Sequence, residues 1–308
     1  MSQIKMTIRN RRNGRECLCG GEELVVVFPY GLSPLASSVE EELQKVRLAE
    51  KLGVDMVKDN SVGRREWYEL LSRVSREIDL PIGASAMLAA ANLAVDSGSR
   101  PAGVIERLFY QGFEKLAEIC DAIEVFPTIT QESLKVLAGS KRVNKIVISR
   151  AGSIIVNFLQ RTGGINPYFR DFDWFLDQAK EKNITLIIGN GFRASCLADS
   201  FDEVQLLELQ IAREFASRAV ARGVSIIVGV FGHIDPSQTD AFKRAREEIP
   251  VPIGGLGPLA TDIALGYDHI NLSLNPYSMA IARVVHEKWP DGCTLCGDWC
   301  PFTAKPTE

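Results

Sequence analysis

Residues 184–193 read ITLIIGNGFR, a run of Ile184, Thr185, Leu186, Ile187 and Ile188 that breaks into Gly189, Asn190, Gly191, Phe192 and Arg193. Apolar and β-branched residues in unbroken succession suit a strand covered on both faces, as in a parallel sheet, whereas a half-exposed strand would alternate. The glycines end the strand and leave Asn190 and Arg193 at its exit. Seven other stretches repeat this form: LVVVFPYG from Leu24, VDMVKDNS from Val54, LPIGASA from Leu80, CDAIEVFP from Cys120, NKIVISR from Asn144, VSIIVGVFG from Val224 and VPIGGLG from Val251. Between them lie helical patterns such as SSVEEELQKVRLAEKLG and FDEVQLLELQIAREFASRAVARG, with acidic residues in the first turn and Gly at a plausible cap. Strands alternating with helices predict an α/β fold, here a TIM (β/α)8 barrel over residues 24–271, with a doubly wound sheet as the alternative. Residues 1–23 read as an N-terminal tail. Residues 272–308 read as a helix, SMAIARVVHEKW, leading into a short cysteine-bearing extension.

The chain has 308 residues, 46% of them hydrophobic and 24% charged, with a formal net charge of -4. That balance gives no field argument for nucleic acid. The basic stretch RNRRNGR, residues 9–15, reads as a solvated tail rather than a polyanion site. No stretch approaches the roughly 18 apolar residues of a membrane helix, and the first residues lack a signal peptide's apolar run, so a cytoplasmic protein without membrane partner is expected. Seven cysteines, an odd number in a large chain, favour thiols or metal ligands over a disulfide framework.

In a barrel of this kind, active sites gather at the C-terminal ends of the strands. The polar residues there are Lys58, Asp59, Asn60 and Ser61 after the second run, Glu124 in the fourth, Ser149 and Arg150 after the fifth, and Asn190 and Arg193 after the sixth. SRAGS (149–153, with Gly152 and Ser153) and GNGFRAS (189–195) set glycines beside an arginine. That pattern offers backbone N–H donors and bidentate pairing to an anion, so a small anionic, phosphate-bearing substrate is expected. LGPLATD (256–262), which ends at Asp262, is a third glycine loop.

His233 in FGHIDP and His269 in GYDHINLS follow neighbouring strands, so two imidazoles could share one divalent iron or zinc, or serve as hydrogen-bonded histidines. His286 in VVHEKW reads as structural. Cys293, Cys296 and Cys300 form CTLCGDWC. Three thiolates suit a [4Fe–4S] cluster with one open iron, while a fourth ligand from Cys17 or Cys19 would suit structural zinc.

SSVEEELQKVRLAEKLGVDMVKDNSVG, LPIGASAMLAA, VISRAGS, GNGFRASCLADSFDEVQLLEL, VGVFGHIDP, LGPLATDIALGYDHI and NLSLNPYSMAIARVVHEKWPDGCTLCGDWC occur in this order. Together they resemble the ThiC family of phosphomethylpyrimidine synthases and their 5-hydroxybenzimidazole synthase relatives, which are radical S-adenosylmethionine (SAM) enzymes. The resemblance implies that Cys293, Cys296 and Cys300 are catalytic cluster ligands, with SAM at the open iron and Asp262 at the cofactor. It implies that His233 and His269 hold a divalent metal. It implies that Ser149, Arg193 and the loops around them, with Arg150, Gly152, Ser153 and Asn190, contact the substrate; the strand-end residues Lys58, Asn60 and Glu124 are expected to join them. A homodimer and a flavodoxin- or ferredoxin-like reductant are implied as partners, and a lyase-type rearrangement of an imidazole-ribonucleotide-like molecule as the reaction.

The sequence departs from the family where the substrate would lie. Val27, Phe28, Pro29, Tyr30 and Gly31 stand in place of the Asn-Ala-Asn-Ile-Gly motif, Lys58 in place of methionine, Leu88 in place of tyrosine and Phe126 in place of histidine. The cluster spacing is C-x2-C-x3-C where the family has C-x2-C-x4-C. Each lost polar partner costs about 1–3 kcal/mol of recognition, so a related enzyme with another substrate is the expected function. The alternatives are an authentic phosphomethylpyrimidine synthase of thiamine biosynthesis, a zinc-stabilised binding barrel without catalysis, and a histidine-metal lyase or hydrolase.

Overall fold

The computed structural model of the chain describes residues 4–20, 25–33, 38–194, 197–229, 238–255 and 269–271. The chain opens with a hairpin of β1 (Met6–Arg9) and β2 (Glu16–Cys19). It continues through β3 (Val25–Tyr30), α1 (Val39–Lys51), β4 (Met56–Asp59), α2 (Trp67–Glu77), β5 (Ile82–Ser85), α3 (Ala86–Asp96), α4 (Glu106–Ala117) and β6 (Ala122–Val125). Four helices follow: α5 (Gln131–Gly139), α6 (Arg150–Thr162), α7 (Pro167–Arg170) and α8 (Phe172–Glu181). Then come β7 (Thr185–Ile188), α9 (Glu203–Ala221), β8 (Ile226–Gly229), α10 (Thr239–Glu247), β9 (Ile253–Gly255) and β10 (His269–Asn271).

Local sequence accounts for several boundaries. Ser38 and Glu41 make a capping box at the start of α1, three glutamates occupy its first turn and Lys51 its last. Ser149 caps α6, whose other end closes on Gly163 at φ 66. Every residue of β4, β5, β6, β7 and β8 is buried, which is why these strands carry no polar alternation.

The strands β3 to β9 pair in parallel in the order in which they occur along the chain. No reversal of order occurs among them, so the doubly wound alternative does not apply. The expected barrel of eight strand–helix units is corrected. NKIVISR forms no strand, and β6 pairs directly with β7 through Ala122↔Thr185, Ile123↔Leu186, Glu124↔Ile187 and Val125↔Ile188, leaving no place between them. The run is not buried either: Ile146 is 62% exposed, Val147 and Ile148 are half-buried, and the segment leads into the cap of α6. Seven successive strands, β3 to β9, therefore make the curved sheet. The three-residue β10, which is not among the eight predicted runs, lies between its outer strands, with His269 in register with Val25 of β3 and Gly254 of β9.

The N-terminal hairpin covers the end of the sheet where the strands begin. Ile8, Cys17 and Cys19 pack with Val25, Val27, Met56, Ala122, Ile187 and Ile227. The RNRRNGR stretch, expected as a solvated tail, instead supplies the hairpin's turn and is bonded to the fold. Arg11 Nη2 donates to the carbonyls of Ala117 (3.0 Å) and Cys120 (2.6 Å), and Arg12 Nη2 to that of Leu80 (3.0 Å). The buried Asp121 carboxylate accepts from Arg11 N at 2.8 Å and from Ile82 N at 2.9 Å. With that end occupied, the opposite one, where the strands finish, is left for a ligand. Among the described residues no helix is long and apolar enough to cross a membrane.

Candidate functional site

At the C-terminal ends of the strands lies a cavity of about 540 Å3. β3 contributes Phe28 and Tyr30, β4 Lys58 and the following Asn60, α3 Leu88, and β6 Glu124 with Phe126 just beyond. Ser149 and Arg150 enter from the start of α6, Asn190 and Arg193 from the loop after β7. Among the described lining residues, four cationic side chains (Lys45, Lys58, Arg150, Arg193) face two carboxylates (Glu42, Glu124).

Two of these charges meet inside the wall. Lys58 Nζ donates to Glu124 Oε1 at 2.8 Å, with both side chains less than a tenth exposed. They belong to β4 and β6, with β5 between, and Gly83 of β5 leaves room for the Met56 side chain. A Cβ at Gly83 would come within 2.3 Å of Met56 Cε and 3.7 Å of Lys58 Cγ. Neither charge would be tolerated here alone, since an unpaired buried ion costs several kcal/mol.

Another part of the wall is rich in hydrogen-bond donors. Ser149 Oγ accepts from Gly152 N at 3.2 Å, capping α6 and fixing the positive end of its dipole beside the cavity. Arg193 Nε and Asn190 Nδ2 are buried without a hydrogen-bond partner among the described residues. Burial lowers the Arg193 guanidinium from its usual value, while the charges of Glu124 and Glu208 act to raise it. Orphaned buried donors are rare and costly, and an anionic ligand would satisfy them.

The loop that carries Asn190 and Arg193 is held from behind. Glu208 of α9 is 2% exposed, and its Oε1 accepts from Gly191 N (2.6 Å), Phe192 N (3.2 Å) and Thr128 Oγ1 (2.8 Å). Burial raises its carboxyl from 4.5 to about 7, against the lowering effect of these bonds and of Arg142. Arg142 grips Asp202 with two nitrogens, at 2.6 and 2.9 Å, and donates to the Phe192 carbonyl at 2.7 Å. On the other side of the cavity, Glu42 accepts from Gly31 N at 2.9 Å and pairs with Lys45. Burial likewise raises Asp59 to about 7, although Ser61 donates to it through both Oγ (2.6 Å) and N (3.1 Å).

Of the substrate residues expected from sequence, Lys58, Asn60, Glu124, Ser149, Arg150, Asn190 and Arg193 line one cavity. Gly152 and Ser153 are not in that lining. A Cβ at Gly152 would sit 2.7 Å from Val147 Cγ1 and 3.0 Å from Ile129 Cδ1, and Ser153 is exposed, with Oγ donating to Arg150 O at 2.9 Å. Glu42, Lys45, Arg142, Asp202 and Glu208 were not singled out from sequence.

The cofactor expectation is corrected. Among the described residues no group of three or more His, Cys, Asp and Glu side chains is placed to hold a metal ion, so they supply no ligand set for the expected [4Fe–4S] cluster, with SAM at its open iron, or for the histidine-bound metal. Cys17, proposed as a fourth zinc ligand, donates from Sγ to the Asp55 carbonyl at 3.1 Å, and burial raises its thiol to about 12, which disfavours thiolate. His233, Asp262, His286, Cys293, Cys296 and Cys300 lie outside the described residues, as does the side chain of His269.

Comparison with solved structures finds the same fold at low identity. A dihydropteroate synthase from Xanthomonas albilineans superposes with a TM-score of 0.54 at 10% identity, over 94% of this chain and 98% of that one. The DAHP synthase of Thermotoga maritima gives 0.51 at 12% identity, over 94% and 74%. Sequence relatives are closer. The phosphomethylpyrimidine synthase of Methanocaldococcus jannaschii is 33% identical over 247 residues, 79% of this chain and 58% of that protein. The one from Carboxydothermus hydrogenoformans is 32% identical over 257 residues, 82% and 59%. The chain thus spans about three fifths of the length of the curated relatives it matches. A model of the Radical SAM ThiC family matches residues 3–284, and with relatives above 30% identity over most of its length, the chain belongs to that family.

Proposed function

We propose that this chain is an enzyme of the phosphomethylpyrimidine synthase type, carrying out a lyase-type rearrangement of a small phosphorylated, imidazole-ribonucleotide-like molecule. One observation carries the substrate class: Arg193 Nε and Asn190 Nδ2 are buried without partners among the described residues, in the cavity that the α6 N-terminus also lines. A phosphate monoester supplies the acceptors and the negative charge that this wall lacks. Ser149, Arg150, Asn190 and Arg193 hold the phosphate, with Gly152 and Ser153 in the first turn of α6 behind it. Phe28, Leu88 and Phe126 enclose the ring and exclude water, and Lys58, Asn60 and Glu124 face its polar edge.

Titration calorimetry of the full chain with 5-aminoimidazole ribonucleotide and with the matching nucleoside tests this reading. Loss of the phosphate is expected to weaken binding by about a hundredfold, the effect of losing two or more charge-assisted hydrogen bonds. Arg193→Gln is expected to shrink that gap to about tenfold or less. Equal binding of nucleotide and nucleoside would refute the proposal. Growth of a phosphomethylpyrimidine-synthase-deficient bacterium on expression of this chain, without pyrimidine supplement, would extend the result to the reaction.

A further inference from the structure

The Lys58–Glu124 pair lies in the cavity wall, where the charge of Glu124 also acts on Arg193. β4 and β6 are otherwise apolar along their buried length up to Lys58, Asp59 and Glu124. The ammonium has three donors and gives one to Glu124 Oε1 at 2.8 Å. The carboxylate can accept at several lone-pair sites. A ligand edge placed against this pair therefore meets a donor and an acceptor side by side, backed by the apolar surfaces of Phe28, Leu88 and Phe126.

We infer that Lys58 and Glu124 determine specificity within the proposed site, selecting a phosphorylated heterocycle whose ring carries a carbonyl or carboxylate acceptor next to an amino donor. Lys58 donates to the acceptor and Glu124 accepts from the amine. A ring with the amine alone leaves the ammonium facing no ligand acceptor, an arrangement that a buried site penalises. The inference rests on the proposed phosphate-binding reading, and its test separates the two.

Full-length protein would be titrated calorimetrically with 5-aminoimidazole ribonucleotide and with its 4-carboxamide, which places an acceptor beside the amine. The carboxamide nucleotide is expected to bind at least about tenfold more tightly, the discrimination of one charge-assisted hydrogen bond. In the double variant K58M/E124T, which removes both charges together, the preference should fall to within about threefold. Should that variant not fold by circular dichroism, Glu124→Gln, which keeps the shape, should lower the preference at least about threefold. Equal binding of the two nucleotides by the wild type, or a preference that survives the substitutions, overturns the inference and leaves the phosphate reading standing. Failure of both nucleotides to bind overturns both.

Discussion

Substituting Glu208 by Gln should change how the stability of this protein depends on pH. Glu208 is buried on α9, its carboxyl raised by desolvation from 4.5 to about 7. Between those values the folded chain holds a proton at Glu208 that the unfolded chain releases. The stabilisation is therefore complete below about pH 4.5, declines as pH rises towards 7 and is gone above it. A shift of this size corresponds to about 3 kcal/mol. Glutamine is nearly isosteric with the protonated acid and does not titrate, so the difference in unfolding free energy, variant minus wild type, should rise by about 3 kcal/mol from about pH 5 to about pH 8. Asp59, raised in the same direction, titrates in both proteins and cancels in the difference. Urea denaturation followed by circular dichroism at several pH values reads the quantity directly. Stability curves that run parallel within about 0.5 kcal/mol would show that Glu208 is not titrating in this range and would refute the reasoning. Glu208→Ala behaves differently at every pH. It strips the acceptor from Gly191 N, Phe192 N and Thr128 Oγ1, costing about 3–9 kcal/mol at 1–3 kcal/mol for each orphaned donor.

Three further outcomes follow from the same geometry. Lys58→Met alone leaves Glu124 buried and unpaired and should cost about 3–5 kcal/mol in urea denaturation, whereas K58M/E124T should cost under about 2 kcal/mol. Gly31→Ala should destabilise by about 2–4 kcal/mol and weaken ligand binding at the cavity mouth. Gly31 sits at φ 142, and a Cβ there would lie 2.4 Å from Ser61 N. Arg142→Ala removes the bidentate partner of Asp202 and the donor to Phe192 O, and should lower stability by about 3–5 kcal/mol with increased proteolysis of the loop after β7.

The strands that could be read in the sequence are those that the fold buries on both faces. TLII, IIVG and MVKD are fully covered, so their composition reports their place in the sheet. NKIVISR has the same composition over a few residues, but what surrounds it is different. The backbone amides of Val143 and Asn144 are taken by Asp199, at 2.6 and 3.1 Å, Arg142 is turned towards Asp202, and Val143 and Ile146 face outward. A short apolar run cannot announce whether neighbouring strands will leave a gap for it, and here β6 and β7 pair along their whole length. The cavity residues were legible for a related reason. Polar groups at the ends of buried strands have few structural uses, and seven of the nine expected contacts line the cavity. Gly152 and Ser153 lie outside the lining because helix geometry turns α6 away from the cavity after Ala151.

The residues that escaped notice share one signature. Glu208 lies on the face of α9 that carries Val204, Ala212, Phe215, Ala216 and Ala219, four residues from Val204 and four from Ala212. Glu42 lies on the face of α1 that carries Leu43, Val46 and Ala49. In both helices a carboxylate occupies a position where the 3.6-residue period calls for an apolar side chain, and in both it is buried, 2% exposed, accepting backbone N–H groups from the loop at the end of a strand. Burying a carboxylate costs several kcal/mol, and a helix that only packed against the sheet would be more stable with leucine in its place. What these two carboxylates gain is fixed loops: Glu42 holds Gly31 after β3, and Glu208 holds Gly191 and Phe192 after β7. Those loops border the cavity on opposite sides, so the cost of the two buried acids is spent on the shape of the site rather than on the stability of the fold. A charged residue on the core face of a helix is thus a positional signal for the support of a site, even when it touches no ligand itself.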